Sequence, residues 1–148
     1  MKYYENFLKD YLDVDLLSEL RTIKEWKDCN RNDSHMKEYY GEGQFINKTR
    51  EILHSKKTIE WVEKESGIDG LVVDSFGTGE GISLMVPPDK LNAHIDFNWN
   101  NRIKMHRAVN LLIYLGDCKG GNFTVWDEEM KMVSFSKEPI HNSAIMFN

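Results

Sequence analysis

His94 and Asp96 are the residues of this 148-residue chain whose types and spacing are best suited to chemistry. They lie in the segment Leu91–Asn98, where alternating apolar and polar residues predict a strand over Leu91–Phe97. Side chains two positions apart on a strand project from one face, so we expect the imidazole and the carboxylate to lie side by side. Together they would supply two of the three ligands of a 2-His-1-carboxylate facial triad, which binds Fe(II) and leaves positions open for a cosubstrate and O2.

The His-x-Asp spacing is weak evidence when taken alone. With five histidines and eleven aspartates in the chain, about 0.4 such tripeptides are expected by chance. On spacing alone, the simpler interpretation is a half-exposed strand that carries two solvated polar groups. The surrounding sequence therefore has to decide between the two.

Composition indicates one ordinary globular domain over 1–148, with 41% apolar and 29% charged residues. Nineteen basic and 24 acidic residues give a net charge of −5, and the basic residues form no cluster, which argues against a nucleic-acid partner. No apolar run is long enough to span a membrane, and residues 1–20 lack a signal-peptide pattern, so we expect a cytoplasmic protein without a membrane partner. Cys29 and Cys118 are too few for a disulfide framework or a zinc site.

Residues 1–67 are expected to form a mostly helical support for the rest of the chain. Apolar residues at helical spacing, with Gly67 as the last stop signal, predict helices over 7–12, 14–26, 46–54 and 58–67. The polar stretch Asp28–Ser34 is interpreted as the region in which the second of these helices ends.

Residues 68–148 are expected to form a jelly roll, which makes the fold class α+β and mainly β. Short strands between turn residues are predicted at 71–74, 81–86, 91–97, 107–115, 122–126, 132–135 and 144–147. The apolar run over 107–115 fits a buried central strand. Because the last strand is followed directly by Asn148, we expect it to present an open edge. Pairing of that edge with a second copy would give a symmetric homodimer.

Three blocks of this half resemble the 2-oxoglutarate/Fe(II)-dependent oxygenases, most closely their prolyl-4-hydroxylase-like branch. The blocks are 91–98, 107–115 and 120–126, and segments at 127–131, 139–142 and 145–147 add to the similarity. The resemblance covers about Ser66 to Asn148, and the residues before it match only as helical support. It implies a double-stranded β-helix, which is a cupin-like jelly roll. It also implies a dioxygenase that uses Fe(II), 2-oxoglutarate and O2 to hydroxylate a C–H bond.

The resemblance implies roles for five residues of this chain. His94 and Asp96 match the first two iron ligands, and Tyr114 matches the residue whose hydroxyl reaches a 2-oxoglutarate carboxylate. Asn110 lies an even number of positions before Tyr114 and would share its inward face. Phe123 matches an apolar position that packs against the cosubstrate. For Tyr114 and Phe123, a role as ordinary core aromatics is the alternative.

The resemblance also implies two residues that fall past Asn148: a distal histidine ligand and a basic residue, usually arginine, that pairs with 2-oxoglutarate. We therefore expect the chain as given to be weak or inactive as an enzyme. His141 is interpreted as a surface histidine, and His106 as wrongly placed for a ligand. The substrate stays open between a prolyl residue of a protein and a small molecule. The alternative function is a cupin-like jelly roll that binds a ligand without redox chemistry.

Overall fold

The computed structural model describes residues 1–9, 12–31, 34–116 and 118–148. Of residue 31 it describes the backbone and not the side chain. The fold is mixed and mainly β, with several small antiparallel sheets. The helices are α1 (Leu12–Leu20), α2 (Gln44–Leu53) and α3 (Lys56–Ser66). The strands are β1 (Lys2–Tyr4), β2 (Lys27–Arg31), β3 (Ser34–Tyr39), β4 (Ile82–Leu84), β5 (Trp99–Asn100), β6 (Met105–His106), β7 (Asn110–Tyr114), β8 (Phe123–Trp126), β9 (Val133–Lys137) and β10 (Ser143–Phe147).

The last strand, β10, lies in the middle of its sheet and not at an edge. It pairs antiparallel with β1 on one side and with β7 on the other, so the sheet has the order β1-β10-β7. Ala144 and Ile145 in this strand are fully buried. The expected open edge at 144–147 is therefore wrong, because β1 covers it. The homodimer stays a prediction, but that edge no longer supports it. In this sheet β7 lies at an outer position and not at the predicted central one.

The amino-terminal half contains strands where helices and a loop were predicted. The helix expected over 14–26 is present over 14–20, within α1, and is wrong beyond Leu20. Of the helix expected over 7–12, residues 7–9 are not helical, and residues 10 and 11 lie outside the described residues. The described residues of the polar stretch 28–34 belong to β2 and β3, whose register joins Cys29 to Met36. Among the described side chains of β2, Cys29 is the buried one and its neighbours are polar. A strand held mainly by backbone pairing gives almost no hydrophobic pattern.

The helices predicted at 46–54 and 58–67 are present as α2 and α3. The carboxylate of Glu19, in α1, accepts hydrogen bonds from the backbone N–H groups of Phe45 and Ile46, each at 2.8 Å, and so caps α2 from another helix. Ser55 caps α3, which therefore begins two residues before Thr58. Gly67 ends α3 in the left-handed conformation, at φ 73°, as predicted.

No helix of the described part of the chain is long and apolar enough to cross a membrane.

The buried core connects these helices to the sheet that carries the candidate cosubstrate residues. Its centre is formed by Leu8, Leu12, Leu16 and Ile46. Partly buried side chains pack against this centre, among them Ile113 of β7 and Leu115 just beyond it. The helical layer therefore supports β7 directly, as the sequence predicted for one of the sheets.

The strands predicted at 81–86, 107–115, 122–126, 132–135 and 144–147 correspond to β4, β7, β8, β9 and β10, with shifted ends. Residues 71–74 and 91–97, all of them described, form no strand. The second segment is hydrogen-bonded to β3 at its start, where the Asn92 N–H donates to Ser34 Oγ at 3.0 Å. Beyond that point Ile95 is 95% exposed. The alternation of apolar and polar residues over 91–97 therefore does not mark a buried face, and this is why the strand predicted there is wrong.

Candidate metal and cosubstrate site

His94 and Asp96 lie side by side, although their segment is not a strand. Nε2 of His94 is 3.2 Å from Oδ1 of Asp96, and the two side chains are 49% and 37% exposed. The predicted adjacency is therefore present, and its function as a metal site stays a prediction.

The hydrogen bonds of His94 determine which ring nitrogen can bind a cation. Nδ1 lies 2.8 Å from the carbonyl oxygen of Asn92. A carbonyl only accepts hydrogen bonds, so Nδ1 carries the hydrogen and donates it. In the neutral ring, the lone pair on Nε2 then faces the carboxylate of Asp96. A cation placed between these two atoms would be attracted to both of them.

The same geometry tests whether the pair fits a metal ion. Neighbouring donors around a divalent ion with bonds of about 2.1 Å lie about 3 Å apart, close to the separation seen here. Donation from the other ring nitrogen to a backbone carbonyl is also typical of ligating histidines, because it fixes the ring. Their separation therefore fits His94 and Asp96 as two ligands of one ion. The part of the chain that the structure describes brings no third His, Cys, Asp or Glu to them, because it contains no group of three or more such residues arranged for a metal.

Arg107 connects this pair to β7. Its Nη1 donates to Oδ1 of Asn110 at 2.9 Å and lies 3.5 Å from Oδ2 of Asp96. The guanidinium carbon is 3.7 Å from the centre of the Phe97 ring, and the side chain is only 18% exposed. Sequence reasoning missed Arg107. The available signal was a basic residue at the start of the block 107–115, three positions before Asn110.

Asn110 and Tyr114 both lie on β7, with their predicted even spacing. Asn110 is joined to Asp96 through Arg107. Burial raises the pKa of the Tyr114 phenol to about 12. Within the described part of the chain, no hydrogen bond or ion pair joins Tyr114 to His94 or Asp96. The structure therefore connects Asn110 to the pair through Arg107 and shows no such connection for Tyr114.

Phe123 packs among other aromatic side chains. Its ring centre lies 5.3 Å from that of Phe147 in β10 and 6.3 Å from that of Phe135 in β9. Such distances are typical of aromatic pairs that hold elements together. These contacts favour the core role that the sequence left as the alternative for Phe123.

His141 is a bridging residue, and its interpretation as an ordinary surface histidine is wrong. The Gly116 N–H donates to its Nδ1 at 3.0 Å, and its Nε2 is 3.2 Å from Oδ2 of Asp13 in α1. Because Nδ1 accepts, Nε2 carries the hydrogen that faces the carboxylate. His106 lies on β6, where its ring meets the edge of Trp99 at 4.8 Å. Both rings are held by these contacts.

His94 and Asp96 offer one nitrogen and one carboxylate oxygen to a cation. Arg107 lies beside them, and β7 carries the amide of Asn110 and the phenol of Tyr114. Such groups can bind a divalent ion and hold an anionic ligand next to it. Searches of protein-family models, curated proteins and solved structures find no match to this chain.

Proposed function

We propose that this chain is a 2-oxoglutarate- and Fe(II)-dependent dioxygenase, with the metal bound at His94 and Asp96. One observation carries the proposal: Nε2 of His94 and Oδ1 of Asp96 lie 3.2 Å apart while Nδ1 of His94 bonds to Asn92 O. This arrangement offers two ligand atoms to a cation from one side. The sequence blocks that resemble the oxygenases supply the identity of the metal and of the cosubstrate.

When bound, Fe(II) supplies the oxidising chemistry, in which 2-oxoglutarate and O2 become succinate and CO2 while one oxygen atom is inserted into a substrate C–H bond. The protein's own groups bind and orient. His94 and Asp96 hold the ion, and Arg107 fixes the carboxylate from its other oxygen. Tyr114, whose pKa of about 12 keeps its phenol protonated at neutral pH, would donate a hydrogen bond to a 2-oxoglutarate carboxylate beside Asn110.

We propose a double-stranded β-helix as the framework of this site. The support for it is the run of short antiparallel strands from β4 to β10, together with the packing of the helical layer against β7. The proposed substrate is a peptidyl proline or a small molecule. Exposed apolar side chains at Ile95 and Phe97, on either side of Asp96, give such a substrate a contact surface.

A cupin-like binding module without redox chemistry is the second candidate. The observation that favours it is that the described residues bring two, and not three, metal-binding side chains together. In that function, His94 and Asp96 would pair with each other without a metal, and the neighbouring Arg107 would attract an anionic ligand.

The experiment that separates the two is anaerobic titration of the protein with Fe(II) in the presence of 2-oxoglutarate. Bidentate binding of the cosubstrate to the iron gives a visible charge-transfer band. We expect the band in the wild type, its loss in His94→Ala, and its retention in His106→Ala, which removes a histidine outside the pair. A wild type without the band would overturn the oxygenase proposal in favour of the binding module.

A further inference from the structure

Arg107 is held between two neighbours, Phe97 and Gly79. Its guanidinium group lies over the ring of Phe97, with 3.7 Å between the guanidinium carbon and the ring centre. Gly79 lies against the edge of this pair, where an added Cβ would overlap Nη2 of Arg107 and lie 2.9 Å from the Phe97 ring. Gly79 has φ +80°, so both its conformation and the close approach of Arg107 require glycine.

The segment that carries Gly79 is itself anchored. The Asp74 carboxylate accepts hydrogen bonds from the backbone N–H groups of Phe76 and Thr78, at 2.9 and 2.8 Å. At the other end, the Glu80 carboxylate is 2.9 Å from both Arg50 Nε and His54 Nε2 in the region of α2. The surface on which Arg107 rests is therefore tied to the helical layer.

This clamp determines how the two oxygens of Asp96 are used. Oδ2 faces Nη1 of Arg107 at 3.5 Å, and Oδ1 faces Nε2 of His94 at 3.2 Å. Asp96 is 37% exposed, so without a fixed partner its carboxylate would turn freely. An arginine with few remaining rotamers can set the orientation of its partner with little loss of entropy.

We infer that Arg107 is a positioning residue that presents Asp96 to the metal as a ligand through one oxygen, Oδ1, and that ties this ligand to Asn110 on β7. The inference rests on the proposed function, because it assigns a task to Arg107 only if a divalent ion binds at His94 and Asp96. The orientation of Asp96 then depends on Gly79 and Phe97, which hold Arg107 in place although neither of them binds the metal.

Co2+ is the probe for the test, since its visible spectrum reports the number and geometry of its ligands. Arg107→Lys keeps the positive charge but loses the planar group, and Gly79→Ala keeps Arg107 but displaces it. We expect both variants to bind Co2+ about tenfold more weakly than the wild type, and with a changed spectrum, as is typical when a group that orients a ligand is lost.

Two variants serve as matched controls. Arg102→Lys changes another arginine that lies over a phenylalanine ring, Phe76 at 4.0 Å. Gly77→Ala introduces a side chain at a second positive φ, +61°, in the same segment, where an added Cβ meets only ordinary contacts at 3.7 Å. Both are expected to keep the wild-type affinity and spectrum. Circular dichroism checks that each variant is folded, and if Gly79→Ala is not, Arg107→Lys carries the test.

The outcomes separate the inference from the proposed function. Binding of Co2+ by the wild type and not by His94→Ala, with wild-type affinity and spectrum in Arg107→Lys and Gly79→Ala, would overturn the inference and leave the proposed function standing. Tighter binding in either variant would also overturn it, because Arg107 would then act only by repelling the ion. A wild type that binds no Co2+ would contradict both.

Discussion

Asn142 and Leu8 exchange two hydrogen bonds across 134 positions of the chain. The Leu8 N–H donates to Oδ1 of Asn142, and Nδ2 of Asn142 donates to the Leu8 carbonyl, each at 2.7 Å. Asn142 stands at φ +57°, a left-handed conformation that asparagine tolerates better than most residues. This pair fastens the segment before α1 to the turn that leads into β10, and so holds the helical core against the central sheet.

Asn142→Ala is expected to lower the free energy of unfolding by about 3 kcal/mol, because two buried backbone groups lose their partners. The left-handed backbone adds strain for alanine. Urea unfolding followed by circular dichroism measures the change. Asn122→Ala removes one exposed hydrogen bond to Ser136 and should change stability by less than about 0.5 kcal/mol. Equal losses in the two variants would show that the Asn142–Leu8 pair does not hold the layers together.

The alkaline stability of the protein is expected to depend on Tyr114. Burial raises its pKa from 10.0 to about 12 in the folded chain. Its contribution is therefore fully present below pH 10, where the unfolded chain also keeps the phenol protonated, and is lost as the pH rises from 10 towards 12. Tyr114→Phe should lose less stability over that range in urea unfolding. Parallel decline in the two proteins would contradict the burial of this phenol.

The order of the segment that carries Gly79 is expected to depend on the ionised carboxylate of Asp74, and therefore to be lost at low pH. Burial acts to raise the pKa of Asp74, but hydrogen bonds from Phe76, Thr78 and Asn100 outweigh it and lower the pKa below its ordinary 3.8. The stabilisation is thus present above pH 3.8 and is lost as the pH falls through the lowered pKa.

Asp74→Ala tests this at neutral pH. It should speed hydrogen exchange at the Thr78 amide, which has lost its acceptor, and wild-type protein should show the same change only in acid. Asp69→Ala, at an exposed position shortly before, is the control and should leave the exchange of Thr78 unchanged. Unaltered protection of this amide in Asp74→Ala would show that the carboxylate does not order the segment.

Turnover is expected to be slow even with all cosubstrates present. His94 and Asp96 are the two donors that the structure brings together, and two protein ligands hold a divalent ion less firmly than three. Incubation with Fe(II), 2-oxoglutarate and O2 should give less than one succinate per chain above the His94→Ala background. Repeated turnovers in the wild type would refute this expectation and require a further ligand.

Local sequence signals predicted the elements whose causes are local. Gly67 ends α3 because a left-handed residue closes a helix, and its position can be read from the sequence. The adjacency of His94 and Asp96 was also predicted, from their spacing of two positions. The β2–β3 pair could not be predicted, because Cys29 is the buried one among the described side chains of β2 and its neighbours are polar. The backbone hydrogen bonds of this strand leave no pattern in the sequence.

Long-range contacts explain what the sequence missed in the site and in the sheet. Arg107 acquires its place from Phe97 and Gly79, which lie 10 and 28 positions away along the chain. The central place of β10 depends on β1, whose three residues lie at the opposite end of the chain and are too few to form a strand pattern. Neither relationship follows from composition, periodicity or spacing, because each is created when distant segments pack together.

Paramagnetic broadening by Mn2+ tests most directly whether a divalent ion binds at His94 and Asp96. Backbone amide spectra recorded at increasing Mn2+ should lose the signals around His94 and Asp96 first, and those of Arg107 and Asn110 next. The loss should disappear in His94→Ala and Asp96→Asn and persist in His106→Ala. Broadening centred elsewhere, or broadening at residues 92–97 that survives in His94→Ala and Asp96→Asn, would contradict the account.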